Sequence, residues 1–559
     1  MVRLNYKTAD KDEVDKLAKD LNICSELATL LVQRGIKTFD EAFHFFRPNF
    51  QDLNDPFLFE NMSKAVNLIL ANTTRKILIY GDYDVDGTTS VALVFDFLKK
   101  HLKVQHLSYY VPDRNKEGYG VSLKAVREAI ANKVMLIITL DCGIKDFDAI
   151  KLAEENGIKV LVIDHHEEDP TRKHPASVVL DQKCQDCHYP FKELSGCGVA
   201  FKLVQALVKK LSIDVNVLFD YLDLVALSTT CDLVPIVGEN RILVYYGLLK
   251  MKENPRLGIK MLIGDLNKFT KVDVDFLVFD IGPKINAPGR IDHASKSVAL
   301  LLTDNPKEAK ILVEQISFLN QMRRNMDRGM VQEALEMLGN DKDKFCNLVF
   351  NPTWHPGLLG IVASKCVEKL YRPTIVFTEK DGMVIGSARS IENFNLYQAL
   401  TKCTKFISSF GGHEFAAGVR IKKENFEDFK KEFNRVVAES LNEDDFVKTQ
   451  DVDIKINLDQ INRKFLSILN QMEPFGNHFM KPVFETVVKI KNIKILKQEH
   501  VSLVVEQNGV SVRGIGFFLK ELFQEISRYS MVRLFYYVHI DKFDNTFSLH
   551  IKHVIPVTK

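Results

Sequence analysis

No apolar run in the 559-residue chain approaches the roughly 18 residues that a membrane-spanning helix requires. Its first stretch, "MVRLNYKTADKDEV", lacks the apolar centre of a secretion signal. An excess of one charge is also missing: 75 Lys and Arg stand against 73 Asp and Glu, a net charge of +2. Bulk charge therefore cannot drive nucleic-acid binding, which would need a local patch. Nine cysteines follow no framework of spacings, which excludes a disulfide scaffold and leads us to expect a reducing cytoplasm. "CQDCH", Cys184 to His188, has half the spacing of a zinc knuckle, and no second half follows. Tryptophan occurs once, at Trp354, and there is no internal repeat or low-complexity tract.

What is present is ordinary globular composition, 46% hydrophobic and 26% charged, in a chain too long for one core. The pattern divides it into five parts. Residues 1–70 read as a helical region packed on the catalytic domain. From residue 76, short apolar runs alternate with helical stretches: "KILIY" then "TTSVALVFDFLKKHLK", "VMLIITL" then "KDFDAIKLAEENG", then "IKVLVID". Such alternation predicts a parallel sheet covered on both faces, with Thr88 or Thr89 and then Asp146 as helix caps, and Gly157 as a stop. The α/β pattern fades near residue 265, and the domain as a whole is placed at 71–300. Residues 301–340 read as one long helix starting at Pro306 and ending at Gly339, a strut of roughly 50 Å beside a cleft. A second α/β domain is expected at 341–445, and the alternating residues of 446–559 predict a small β-barrel.

The segment "KILIYGDYDVDGTTS" crowds Asp82, Asp84 and Asp86 into five positions behind a buried strand. The start matches a calcium loop, but that loop needs Glu where Leu93 stands and a helix where "KILIY" reads as strand. Other strand ends carry similar groups. Asp141 follows "VMLIITL", Asp164, His165 and His166 follow "IKVLVI", and Asp232 follows "DLVALSTTC", read here as a further strand. In a parallel sheet the C-terminal strand ends share one edge, where ligands bind. One such residue would be a turn or cap; four sites with tandem histidine predict a metal cluster. Carboxylates gathered this closely need cations to stay ionised. Two divalent ions about 3.5–4 Å apart would offset the charge, activate water and clamp phosphoryl oxygens during in-line displacement. Oxygen-rich ligation with some imidazole suits manganese or magnesium.

These residues carry a resemblance. "GDYDVDG", "DCG", "DHH" and "TTCDLVPIVGENR" look like the ordered motifs of the DHH phosphoesterase superfamily, and more narrowly of its RecJ-type single-stranded-DNA-specific exonucleases. "VPDRNKEGYGVS", "KINAPGRI", "WHPGLLGIVASK" and "GGHEFAAG" extend the match over nearly the whole chain. The resemblance implies a DHH domain with a parallel sheet, a connecting helix, a DHH-associated α/β domain and an OB-fold barrel. It implies metal ligation by Asp84, Asp86, Asp141, His165 and Asp232, with Asp141 bridging two Mn or Mg ions. Asp82 would orient a ligand or water, and His166 would contact phosphate. Where family members often carry His, two residues before Asp82, this chain has Tyr80, so Asp82 or water would complete that shell.

Arg114 in "PDRNKEGYG", Arg290 in "NAPGR", and Ser387, Arg389 and Ser390 in "GSARS" lie in turn-rich or small-residue contexts. Singly, such arginines usually make surface ion pairs; in this family context they imply a site for a terminal 5′-phosphate. Gly411, Gly412 and His413 in "GGHEFAAG" read as an anion nest along the strand path. In the expected barrel, Phe475, Phe479 and Phe484 are candidates to stack bases, beside Lys481, Lys489, Lys491, Lys494 and Arg513 as a basic track. The function implied is a cytoplasmic, monomeric 5′-to-3′ exonuclease of repair and recombination, working on single-stranded DNA with a single-strand-binding protein and a helicase as partners. Two rivals are a phosphodiesterase of short oligoribonucleotides or cyclic dinucleotides, and an inactive DNA-binding scaffold.

Overall fold

The computed structural model describes residues 2–264, 271–339, 345–497, 499–526, 529–540 and 546–557. The expected limits near 265 and at 340/341 lie outside the described residues. Strand β1 (Arg3–Tyr6) pairs in parallel with Thr449–Val452, far along the chain. Behind it, Val14, Leu17, Leu27, Leu31, Ile36 and Ala42 share a core with the C-terminal barrel, whereas Phe59, Met62, Val66 and Ile69 join the core of the following α/β unit. Residues 1–70 therefore divide between two cores, where the sequence led us to expect packing on the α/β domain alone. Amphipathic periodicity fixes which face is apolar and is silent about which partner covers it.

The α/β unit is built on β2 (Ile77–Gly81), β3 (Leu107–Tyr110), β4 (Leu136–Leu140), β5 (Lys159–Ile163) and β6 (Val178–Leu180), all parallel in the order β3-β2-β4-β5-β6. β2 and β4 are buried at every position, as central strands covered on both faces should be. The expected caps differ in detail. Asp84, not a threonine, caps the Val85–Lys100 helix by accepting from Gly87 N–H at 3.1 Å. The Asp146 carboxylate accepts from Val121 N–H at 2.8 Å instead of capping its own helix. "DLVALSTTC" is helix, Leu222–Cys231, and not a strand. Residues 222–230 are all buried, so no polar face marks the helical period, and an apolar run of this length fits either state.

The Pro306–Leu338 helix has 33 residues, capped by Asn305 at one end and Gly339 at the other. Its Ala309 and Ile316 belong to the first core, and its Met330, Ala334 and Leu338 pack with Trp354, Leu358 and Val362 of the next unit. That unit carries β7 (Asn347–Phe350), β8 (Thr374–Lys380), β9 (Met383–Arg389), β10 (Ser409–Gly412) and β11 (Ala416–Lys422), ordered β10-β11-β9-β8-β7. Beyond β12 (Thr449–Val452) and β13 (Ile454–Lys455) come β14 (Phe484–Leu496), β15 (His500–Gln507), β16 (Val510–Gly516), β17 (Met531–Ile540) and β18 (Phe547–Pro556). Pairing of β14 with β17 closes the five long strands into a barrel. Among the described residues, no helix is long and apolar enough to cross a membrane.

Candidate metal centre and strand cleft

The chain leaves β2 at Gly81 and enters the next helix within three residues. A Cβ on Gly81 would lie 2.2 Å from a Val91 methyl, and one on Gly87 would lie 2.4 Å from the Asp82 carbonyl oxygen. The loop is thus folded tightly enough to aim three carboxylates at one place. Asp86 accepts from Gly196 and Cys197 N–H, each at 2.7 Å, and from Ser228 Oγ at 2.6 Å. The two amides belong to the first turn of the Gly196–Leu211 helix, whose partial positive charge favours an acidic side chain. A Cβ on Gly196 would meet Asp141 Cβ at 2.9 Å, so a bare backbone is needed there.

Asp141, directly after β4, has φ +58°, a conformation that Asp tolerates better than most residues. After β5, Asp164 accepts from Ile144 N–H at 3.0 Å, from His165 N–H at 2.8 Å and from His166 Nδ1 at 2.7 Å. His165 Nε2 then lies 3.2 Å from Asp141 Oδ1 and 3.6 Å from both Asp86 Oδ2 and Asp232 Oδ2. Although Asp232 ends a helix and not a strand, it reaches the same edge. Two sets of three ligand atoms result, Asp86–His165–Asp232 and Asp82–Asp84–Asp141, with each set's atoms within 4.8 Å of one another. A third set, Asp141–His165–His166, overlaps them. Tyr80 takes no part: its hydroxyl donates to Gly120 O at 2.8 Å and accepts from Ser122 N–H at 3.2 Å.

Charge in this cluster is unbalanced. Burial, and then repulsion from Asp84 or Asp86, holds the Asp82, Asp141 and Asp232 carboxyls well above the ordinary range. The same causes push Asp86 up to about 6. Burial and the neighbouring His166 bring His165 down to about 3, leaving the neutral imidazole that a metal requires. His166 behaves oppositely: burial would lower it, but the Asp164 hydrogen bond and charge prevail and raise it to about 9. Asp82 Oδ1 and His165 Nε2 are buried without a hydrogen-bond partner. Orphaned ligand atoms among repelling carboxylates fit a pair of oxygen-preferring divalent cations.

Beyond the carboxylates, three arginines gather. Arg114 stacks 4.9 Å from the Tyr83 ring centre, Arg290 Nη1 donates to Gly357 O at 3.4 Å, and Arg389 Nη1 donates to Ala388 O at 2.8 Å. Burial and then Arg114 lower Arg389, and burial with Arg114 and Arg323 lowers Arg290 to about 10. Among the described residues, none of Arg114, Arg290 and Arg389 forms an ion pair. Glycines of "WHPGLLGIV" make the room: a Cβ on Gly357 would lie 2.2 Å from Arg290 O, and one on Gly360 2.8 Å from Arg389 Nη2. Ser387 Oγ accepts from Arg389 Nη1 at 3.3 Å, but the Ser390 hydroxyl is committed to Phe394 O at 2.7 Å.

A cleft of about 980 Å³ runs between the two sheets, lined by Arg114, Tyr119, His166, Lys145, His413 and Arg420 among others. Gly411 and Gly412 also line it, but as part of β10, paired with Gly418 and Ala417 of β11. Both sit in a strand ladder, Gly412 with φ +147°, so the expected nest is corrected to a hairpin. A Cβ on Gly411 or Gly418 would meet nothing within 4 Å, which leaves a flat strip of backbone open to the cleft. Sequence reasoning missed Tyr119, whose hydroxyl is 3.4 Å from the ring nitrogens of His166. Its place inside the quoted "KEGYGVS" was the available signal.

Comparison with known proteins agrees with this arrangement. Residues 76–229 match the DHH family N-terminal domain, 342–439 the DHHA1 domain, and 452–553 the RecJ OB domain. Over 519 residues the chain is 35% identical to the single-stranded-DNA-specific exonuclease RecJ of Haemophilus influenzae, covering 88% of this chain and 89% of that protein. The chain belongs to the RecJ family. With RecJ of Bacillus subtilis it shares 36% identity over 560 residues, 97% of this chain and 69% of the relative. A crystal structure of exonuclease RecJ bound to manganese, 31% identical, matches with a TM-score of 0.59 over 68% of this chain and 95% of its own. RecJ from Thermus thermophilus, crystallised with Mn2+, shares the fold: TM-score 0.85 at 24% identity, over all of this chain and 80% of its own.

Within this RecJ-family frame the expected base-stacking aromatics need correction. Phe484 lies in the barrel core, and Phe475 and Phe479 stack on each other, centroids 5.7 Å apart and both buried. The Trp354 indole is also buried, its N–H donating to Glu333 at 2.7 Å. Hydrophobic rings in a chain with 38 Phe fill cores first. The expected basic track thins too. Lys481 pairs with Asp275 and Lys491 with Glu506, whereas Lys489, Lys494 and Arg513 stay exposed on the barrel.

Proposed function

We propose that this chain is a metal-dependent exonuclease that degrades single-stranded DNA from the 5′ end to 5′-mononucleotides. The observation that carries the reading is that two ligand-atom sets converge on one sheet edge, beside His166 and Arg114, which line the cleft between the two sheets. At that edge Asp82, Asp84, Asp86, Asp141, His165 and Asp232 would hold two manganese or magnesium ions. When bound, these ions supply charge neutralisation, polarisation of the phosphodiester and an activated water for in-line displacement. The protein does the rest. Asp164 keeps His166 cationic, facing the cleft where negative charge grows on the scissile phosphate. Arg114, Arg290 and Arg389, with Ser387, take the terminal 5′-phosphate and so fix where the strand stops. Ser390 supports that loop through Phe394, and the Gly411–His413 hairpin lines the strand's path.

Family resemblance supports extending the reading to a monomer in cytoplasmic DNA repair and recombination, supplied with single strands by a helicase and a single-strand-binding protein. The deciding experiment offers end-labelled 5′-phosphate, 5′-hydroxyl and duplex DNA with Mn2+. Mononucleotides from the 5′-phosphate single strand are expected. Turnover of only two- to five-nucleotide RNA would instead favour the phosphodiesterase, and DNA binding without turnover the inactive scaffold. Cation binding should also be visible without DNA. At Mn2+ about 100-fold above its Kd, native stability should rise by about 2.7 kcal/mol, seen as an upward Tm shift that EDTA reverses.

A further inference from the structure

Asp232 occupies the least secure position among the proposed ligands. The others leave buried strand ends or a capped helix turn, whereas Asp232 closes the Leu222–Cys231 helix and its side chain is 25% exposed. The next residue, Leu233, is 58% exposed and has φ +59°. For a branched, non-glycine residue this left-handed backbone is unfavourable and persists only where neighbours enforce it. The enforcing neighbours come from 240 residues downstream. Asn477 donates its side-chain amide to Leu233 O, and its own carbonyl accepts from Ile236 N–H at 2.9 Å.

The turn that carries Asn477 is itself fixed in place. Gly476 and Phe479 exchange backbone hydrogen bonds at 2.9 and 3.0 Å. Arg241, buried and with no carboxylate partner among the described residues, donates to Met472 O, Glu473 O and Pro474 O at 3.0–3.1 Å. Its guanidinium also lies 3.9 Å from the Phe45 ring centre and 5.2 Å from that of Phe479. Gly476 abuts Ile236 so closely that a Cβ would fall 2.2 Å from Ile236 Cδ1. The far side of the same loop is held by Asn240, whose amide donates to Pro235 O at 2.9 Å.

We infer that the 473–479 turn, at the entrance to the terminal barrel, is a positioning element for Asp232, with Asn477 as its working residue. This inference rests on the reading of Asp232 as a metal ligand. It assigns the barrel's approach segment a task at the reaction centre as well as in substrate contact. Without the Asn477 amide, the Leu233 peptide relaxes toward ordinary backbone angles and carries the Asp232 carboxylate away from His165.

The test titrates the full-length metal-free protein with Mn2+ by calorimetry, and separately measures kcat and KM on 5′-phosphorylated single-stranded DNA. Asn477→Ala should bind Mn2+ about tenfold or more weakly, the range for losing a residue that orients a ligand. Its kcat at limiting Mn2+ should fall, recover as Mn2+ is raised, and leave KM for DNA unchanged. Gly476→Ala, which displaces Ile236 by contact, should act in the same direction. Mn2+ binding in Asn477→Ala like that of the parent, or a raised KM as its sole change, would overturn the inference. Asp232→Asn is measured in parallel. If that variant binds Mn2+ like the parent, the assignment of Asp232 as a ligand fails, a result distinct from failure of Asn477.

Discussion

Asp141→Asn and His165→Ala variants are expected to lose more than about 100-fold in exonuclease turnover, beyond the 10–100-fold typical for removing a partner that only orients a ligand. Asp141 stands in two of the three ligand-atom sets, and His165 Nε2 sits within 3.6 Å of three carboxylates. Asn is the informative replacement at Asp141, because it keeps the +58° backbone that Ala would strain. A second readout separates loss of chemistry from loss of fold. Burial and repulsion hold the Asp141 carboxyl high, so removing its charge should leave the metal-free protein at least as stable. Thermal unfolding without metal should therefore show no downward shift, and the Mn2+-dependent rise should shrink. Parent-like turnover in either variant would remove the metal centre from the mechanism.

Replacing Arg290 or Arg389 with Met should abolish discrimination between 5′-phosphate and 5′-hydroxyl ends. Losing one partner of a desolvated charge pair costs about 2–5 kcal/mol, so the preference should fall by roughly 30-fold or more. The loss should appear in kcat/KM for the phosphorylated end, while the hydroxyl end is little affected. Stability should move the other way. In the free protein Arg290 is disfavoured by burial and by Arg114 and Arg323, which together outweigh the attraction of Asp84. Arg290→Met should thus raise Tm in phosphate-free buffer, and added inorganic phosphate should stabilise the parent more than the variant. Equal losses on both DNA ends would mean that Arg290 shapes the cleft and does not read the end group.

Much of this site was legible in the sequence because strand ends in a parallel sheet share an edge. Runs such as "KILIY" and "VMLIITL" read as buried strands from their unbroken apolar character, which puts the residue after each at that edge. Asp232 reaches that edge by another route than the expected strand. Its preceding run is helical, and only the sheet's own helix packing brings it to His165. The hairpin at Gly411 and Gly412 was misread because glycine allows both a nest and a bare strand, and cross-strand pairing decides between them. Burial of Phe475, Phe479 and Phe484 was hidden for a related reason. A ring's exposure depends on partners such as Phe45, far earlier in the chain, and on a closed barrel, which no local window contains. Asn477 was invisible for the same cause: its partners lie on the other side of the molecule's chain order.

The pairing of β1 with β12 bears on how the molecule is made. Asn5 and Asp451 hydrogen-bond across a sequence separation of 446 residues, and the helices behind β1 share their core with the barrel and the 458–479 segment that leads into it. At about 5–20 residues per second of translation, that first segment waits about 20 to 90 s beyond its own emergence before its partner exists. Its Leu- and Phe-bearing faces are thus open to solvent throughout most of synthesis. These helices leave the ribosome long before the residues that cover them, and find their place late.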